Sequence, residues 1–92
     1  MKTNYLGERL KIHRQINHLT QKQVAEQLNV DTSFIAHCES GKKVPSKERL
    51  IAFSKVFGVP IQLFLYAKIK DLCAEYDVPF HTLTGLEAIW NE

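Results

Sequence analysis

The residue types able to do covalent or metal chemistry are few in this chain and poorly spaced for it. Cys38 and Cys73 are its two cysteines, far apart and without the close pairing of a zinc or redox site. Histidines stand at 13, 18, 37 and 81, and none forms a ligand pair with a second His or Cys on one helical face. There is no glycine-rich phosphate loop, and no His, Cys or Ser has an evident activating partner. Reduced, packed thiols are expected, with no metal and no cofactor, and an enzyme is the class these residues disfavour most. What remains is recognition through hydrogen bonds and charge.

The charge is segregated along the chain. Residues 1–66 hold ten Lys or Arg against five Asp or Glu, about +5, whereas residues 67–92 hold two against five, about −3. A basic first part of this kind suits a polyanion while an acidic tail stays away from it. The chain has 92 residues, 45% hydrophobic and 24% charged, enough for one domain and too few for two separate cores. Lys2, Asn4, Glu8 and Arg9 interrupt the N-terminal apolar residues, so no secretory signal is expected and the reading is cytoplasmic. The richest apolar run, Val59 to Ala67, holds Gln62 and falls well short of the roughly 18 to 20 residues that span a bilayer, so no membrane contact is expected.

These groups must be positioned by helices. Leu6, Leu10 and Ile16, with Glu8, Arg9, Lys11 and Arg14 interleaved, predict a first amphipathic helix over 6–16. Asn17 and His18 tolerate a turn, and Thr20 with Gln23 forms a capping box for a second helix from Gln21 to Leu28. Asn29 is a left-handed cap, and Asp31 is an N-cap for a third helix over Thr32 to Glu39, stopped at Ser40 and Gly41. Pro45 and Ser46 open a fourth with Leu50, Phe53, Val56 and Phe57 on one face and Gly58 at its end. Pro60 opens a fifth whose stripe of Ile61, Phe64, Leu65, Ile69 and Leu72 reaches about Tyr76, before Asp77, Val78 and Pro79 break it. A capping box of Thr84 and Glu87 predicts a short last helix over 85–90. No segment asks to be a strand.

Two short helices joined by a three-residue turn make a helix-turn-helix unit, and residues 21–40 carry its packing requirements. Val24 and Leu28 form the inner face of its first helix, and Ala25 is small enough for a close crossing. Asn29 takes the turn, and Val30, Ile35 and Cys38 complete the interior.

At this point the chain resembles the phage-repressor and Cro-like helix-turn-helix regulators, the XRE family, over roughly residues 6–65. The resemblance rests on Gly7, Leu10 and Arg14; on Leu19, Thr20 and Gln21 with Val24 and Ala25; and on Ile35 with Glu39, Ser40, Gly41 and Lys42. Pro45, Ser46 and Leu50 follow, then Phe57, Gly58, Val59 and Pro60. It implies an all-α, lambda-repressor-like DNA-binding domain of five helices over 1–66, followed by a short helical C-terminal extension over 67–92. His18 and Asn29 depart from the family, which often has glycine at both places; each side chain must tolerate the left-handed region.

The family places the second helix of the unit in the major groove of double-stranded DNA, where base edges distinguish all four pairs. Carried over by position, this puts Thr32, Ser33 and His37 at the bases. Phe34 is read as packing on a thymine methyl, because Ile35 already fills the inward place. Gln21 is the implied backbone clamp; Lys42 and Lys43 can neutralise phosphates and Ser40 can add a hydroxyl. Glu39 is odd on local grounds, since a carboxylate in the last turn of a helix opposes the helix dipole. The family implies Arg14 as its partner, a structural ion pair that would set the angle of the reading helix.

One such domain reads few base pairs, so a two-fold homodimer on a two-fold operator is expected. Phe64, Leu65, Ile69 and Leu72, continued by Phe80, Leu83, Leu86, Ile89 and Trp90, offer more apolar surface than the family core needs, with Leu86, Ile89 and Trp90 the expected interface and a last helix folded back on its own domain the alternative. The leading function is a sequence-specific transcriptional regulator. The alternatives are an antitoxin-type module that also binds a protein partner through its C-terminal extension, and a restriction-modification controller.

Overall fold

Helix ends in this chain are written by short polar residues and by a few left-handed backbone positions. In the computed structural model, which describes residues 4–77, α1 runs Tyr5–Ile16, α2 Gln21–Leu28, α3 Thr32–Ser40, α4 Lys47–Phe57 and α5 Gln62–Glu75. The described residues are all-α, with no strand. Thr20 and Gln23 form both halves of the capping box, with Gln23 N donating to Thr20 Oγ1 (3.1 Å) and Thr20 N to Gln23 Oε1 (2.8 Å). Ser46 caps α4 through Arg49 N, and Gly58 ends it at φ 67°. The last helix read over 85–90, with Leu86, Ile89 and Trp90, lies outside the described residues.

Among the described residues, three with side chains accept positive φ. His18 (56°) turns the chain between α1 and α2, Asn29 (57°) between α2 and α3, and Asp77 (53°) lies just past α5. Asn29 closes α2 with its N–H on the Glu26 carbonyl, while Val30 N donates back to Ala25 O (3.0 Å), the doubled pattern that satisfies orphan carbonyls at a helix end. Asp31 occupies the N-cap position of α3 in extended conformation, but its carboxylate makes no capping hydrogen bond. The expected side-chain cap is therefore replaced by a backbone turn, Phe34 N to Asp31 O (3.0 Å).

α1 packs against α3, α4 and α5, and α2 against α3 and α4. Leu10, Val24, Ile35, Leu50, Phe53 and Phe64 form the centre and are essentially out of solvent; full burial of each such side chain stabilises by about 1.5–3 kcal/mol. Gly7 permits the closest approach: a Cβ there would collide with the Glu39 carbonyl oxygen and the Asn4 side chain. Asn4 uses that proximity, donating Nδ2 to Glu39 O (2.8 Å) while Oδ1 accepts from Gly7 N (3.2 Å).

The division drawn between residues 66 and 67 falls inside α5, which is one continuous helix. Ala67, Ile69 and Cys73 beyond it are buried in the domain. Asp71 fastens this half of α5 to the start of the chain: its two carboxylate oxygens accept from Tyr5 N (2.6 Å) and Leu6 N (2.9 Å). A carboxylate at the positive end of α1 also complements the helix dipole. The acidic second part thus contributes to the fold of the basic first part.

His13 lies against Phe57 and edge-on to Phe64 (centroids 6.3 and 5.6 Å). Burial, with help from Arg9, holds its imidazole below the ordinary value of 6.5. The unfolded chain then binds the proton more readily, so stability fully present above pH 6.5 is lost as pH falls from 6.5 through the lowered value of the folded state. The urea midpoint should drop over this window in the wild type and drop less in His13→Gln. Asp71→Ala should cost about 1 kcal/mol in urea unfolding at neutral pH, by leaving two helix-end N–H groups without their carboxylate.

Candidate nucleic-acid interface

Ile35, Cys38 and Glu39 recur at helical spacing on the buried side of α3. Two of the three are apolar. The third is a carboxylate, and its surroundings explain how it is tolerated. Arg14 Nε and Nη2 reach Glu39 Oε2 and Oε1 at 2.7 and 3.2 Å, a two-pronged pair whose side chains are 14% and 6% exposed. Gln21 Nε2 donates to the same Oε1 (3.2 Å), and Arg14 Nη1 donates to the Leu19 carbonyl (2.9 Å). One guanidinium therefore joins α1, the α1–α2 turn and α3, and the carboxylate adds α2. Gln21 was expected on a phosphate; its amide group is turned to Glu39, which leaves its second N–H and its carbonyl oxygen for another partner.

The opposite side of α3 faces outward. Thr32, Ser33 and Ser40 are exposed and His37 is half-buried. Ser40 Oγ donates back to the His37 carbonyl (3.2 Å), so its hydroxyl is engaged within the helix. Lys43 N donates to that same carbonyl (3.1 Å), folding the loop 41–44 onto the end of α3, while Gly41 takes φ 86° to make the turn. Lys42 and Lys43 stand exposed beside this helix end.

Phe34 is half-buried and packs against the core cluster. Its ring carries two cations, with Lys43 Nζ 5.8 Å and the Arg49 guanidinium carbon 5.7 Å from the centroid. Phe34, Val30, Asp31, Ser33, Lys43 and Arg49 line an open groove at the start of α3. The ring is thus partly turned back onto its own domain. Arg49 was not singled out from sequence, because the first turn of α4 also holds Lys47 and the acid Glu48, and local pattern does not separate them.

Cys38 and Cys73 are free and buried. Burial pushes the Cys38 thiol up to about 11, outweighing the opposing pull of Lys43, so it stays protonated at neutral pH. Among the described residues, no group of three His, Cys, Asp or Glu could hold a metal, and no helix is long and apolar enough to cross a membrane.

A five-helix domain whose second and third helices cross through a short left-handed turn, with the outer face of the third left open, defines a helix-turn-helix protein. The helix-turn-helix family matches residues 10–64, and the chain belongs to it, in the phage-repressor and Cro-like branch. It is 45% identical over 85 residues to the transcriptional activator BcrR of Enterococcus faecalis, a match covering 92% of this chain and 40% of that protein. An uncharacterised transcriptional regulator of Methanocaldococcus jannaschii is 37% identical over 62 residues, 66% of this chain and 94% of its own length. The immunity repressor of Bacillus phage phi105 is 32% identical over 74 residues, 78% of this chain and 51% of the repressor. The chain thus spans less than half of BcrR and about half of the phage repressor. No solved structure matches at comparable significance.

Arg14→Ala should be the most damaging single change outside the apolar core. It strands a buried carboxylate, a cost of about 3–5 kcal/mol, and a melting curve unchanged from wild type would show that the pair does not carry the fold.

Proposed function

We infer that the chain binds double-stranded DNA by sequence and regulates transcription, with the N-terminal half of α3 in the major groove and two copies acting as a two-fold dimer. The observation that carries this reading is the rigid mounting of α3. Arg14 and Gln21 hold its buried side through Glu39, while Thr32, Ser33 and His37 stand outward. A base-reading helix must be held this way, because bidentate discrimination is lost when the side chains can shift.

Thr32 and Ser33 are short donors and acceptors at the start of the helix, where base edges are reached first, and His37 lies one turn further along. Lys42 and Lys43 supply charge for the backbone beside the same groove, and Gln21 offers its remaining N–H. Ser40 adds little as a phosphate donor while its hydroxyl bonds His37. Phe34 touches a thymine methyl only with the exposed part of its ring. Dimerisation, with Leu86, Ile89 and Trp90 as its interface, is proposed from the shortness of a single reading helix, which spans few base pairs.

Selection of bound sequences from a random duplex pool, at near-physiological salt, should yield a two-fold consensus with half-sites about one helical turn apart. His37→Ala should relax one position in each half-site, at a cost of about 1–3 kcal/mol for the preferred base. No enrichment above non-specific binding would remove this reading.

A further inference from the structure

We propose that Arg49, on α4 and outside the helix-turn-helix unit, is a further DNA-contacting residue: a backbone phosphate binds its guanidinium at the edge of the groove where α3 begins, with the Phe34 ring as the platform that holds it. This rests on the duplex-DNA reading above and adds to it a contact from a different element.

Four observations converge on this residue. Arg49 lies in the first turn of α4, three residues after the Ser46 cap. The acid of that turn, Glu48, is flanked by two bases, Lys47 and Arg49 itself, although the helix dipole there favours acids. The comparable misfit at the end of α3, Glu39, is resolved by an ion pair inside the protein. Arg49 has no such resolution: among the described residues no carboxylate pairs with it. The contacts it does make hold the group rather than neutralise it. Its guanidinium lies over Phe34 at 5.7 Å, and Nη1 donates to the Leu28 carbonyl at 3.4 Å.

A guanidinium has five N–H donors, and the Leu28 carbonyl takes one, so the others are left to fork onto an anion. Lys43 approaches the same ring at 5.8 Å, so two positive charges crowd one open groove whose lining holds one carboxylate, Asp31. Repulsion between them is relieved by an anion that both can reach. A duplex backbone passing the start of α3 presents one. Phe34 belongs to the first turn of α3, so a phosphate gripped by Arg49 is referenced directly to the reading helix, which fixes register in the way backbone contacts do.

The test is a salt titration of the full chain on a labelled mixed-sequence duplex, by fluorescence anisotropy between about 50 and 200 mM salt. Wild type, Arg49→Gln and Arg49→Lys are compared, each with a melting curve. Arg49→Gln should lower the slope of log affinity against log salt by about 0.9 and bind about eightfold more weakly at 0.1 M salt, the loss of one phosphate contact. Arg49→Lys should keep the wild-type slope, because the charge remains.

A wild-type slope and affinity in Arg49→Gln would overturn the contact while leaving DNA binding in place. An equal loss of slope in Arg49→Lys would overturn it too, since charge would not be the cause. Wild-type protein without salt-dependent binding would remove the DNA reading itself, and this contact with it. Should Arg49→Gln melt below the working temperature, Arg49→Met keeps the stem over Phe34 and reads the same slope.

Discussion

Everything outward on α3 depends on one inward interaction, the pair between Arg14 and Glu39. Glu39 sits in the last turn of a short helix and is buried, two conditions that each disfavour a carboxylate. Arg14 meets both with a two-pronged bond, and Gln21 adds a third donor. A buried charge satisfied from three directions has few alternative geometries, so the direction and axial rotation of α3 are set from within. The Asn4 side chain and the glycine at position 7 act at the same helix end, allowing α1 to approach the Glu39 carbonyl. The exposed face of α3 inherits its aim from these contacts.

The connections contribute a second kind of constraint. Asn29, between α2 and α3, and Gly41, just after α3, take left-handed conformations, and each redirects the chain without a long loop. Short connections leave little slack, and the crossing of α2 and α3 is closed by Val24, Ala25, Leu28 and Ile35 in the core. His18 performs the corresponding task between α1 and α2, with a bulkier side chain than the position favours. The imidazole stays exposed, so the positive φ is its main cost there.

Charge placement separates the two faces of the domain. Opposite charges are consumed inside: Arg14 by Glu39, and the amide dipoles that open α1 by Asp71. On the side of α3 that faces outward, Lys42, Lys43 and Arg49 remain without carboxylate partners among the described residues. The acidic second part of the chain also takes part in the fold. Asp71 is built into the fold, and α5 packs along α1 well past residue 66.

Helix positions, the turn between α2 and α3 and the residues of the core were legible in the sequence because they are set by local rules. A capping box works over three residues, a left-handed cap over one, and an apolar stripe declares its face through the 3.6-residue period alone. The oddity of Glu39 was legible for the same reason, as a charge of the wrong sign at a helix end. What answers it was not legible from local pattern, because Arg14 and Gln21 meet Glu39 only once three helices have chosen their crossing angles. Asp71 at the start of α1, Arg49 over Phe34 and the unused Asp31 cap are decisions of the same kind. Each depends on where a side chain from one element ends relative to another, a distance that periodicity does not encode and that packing of the common core imposes.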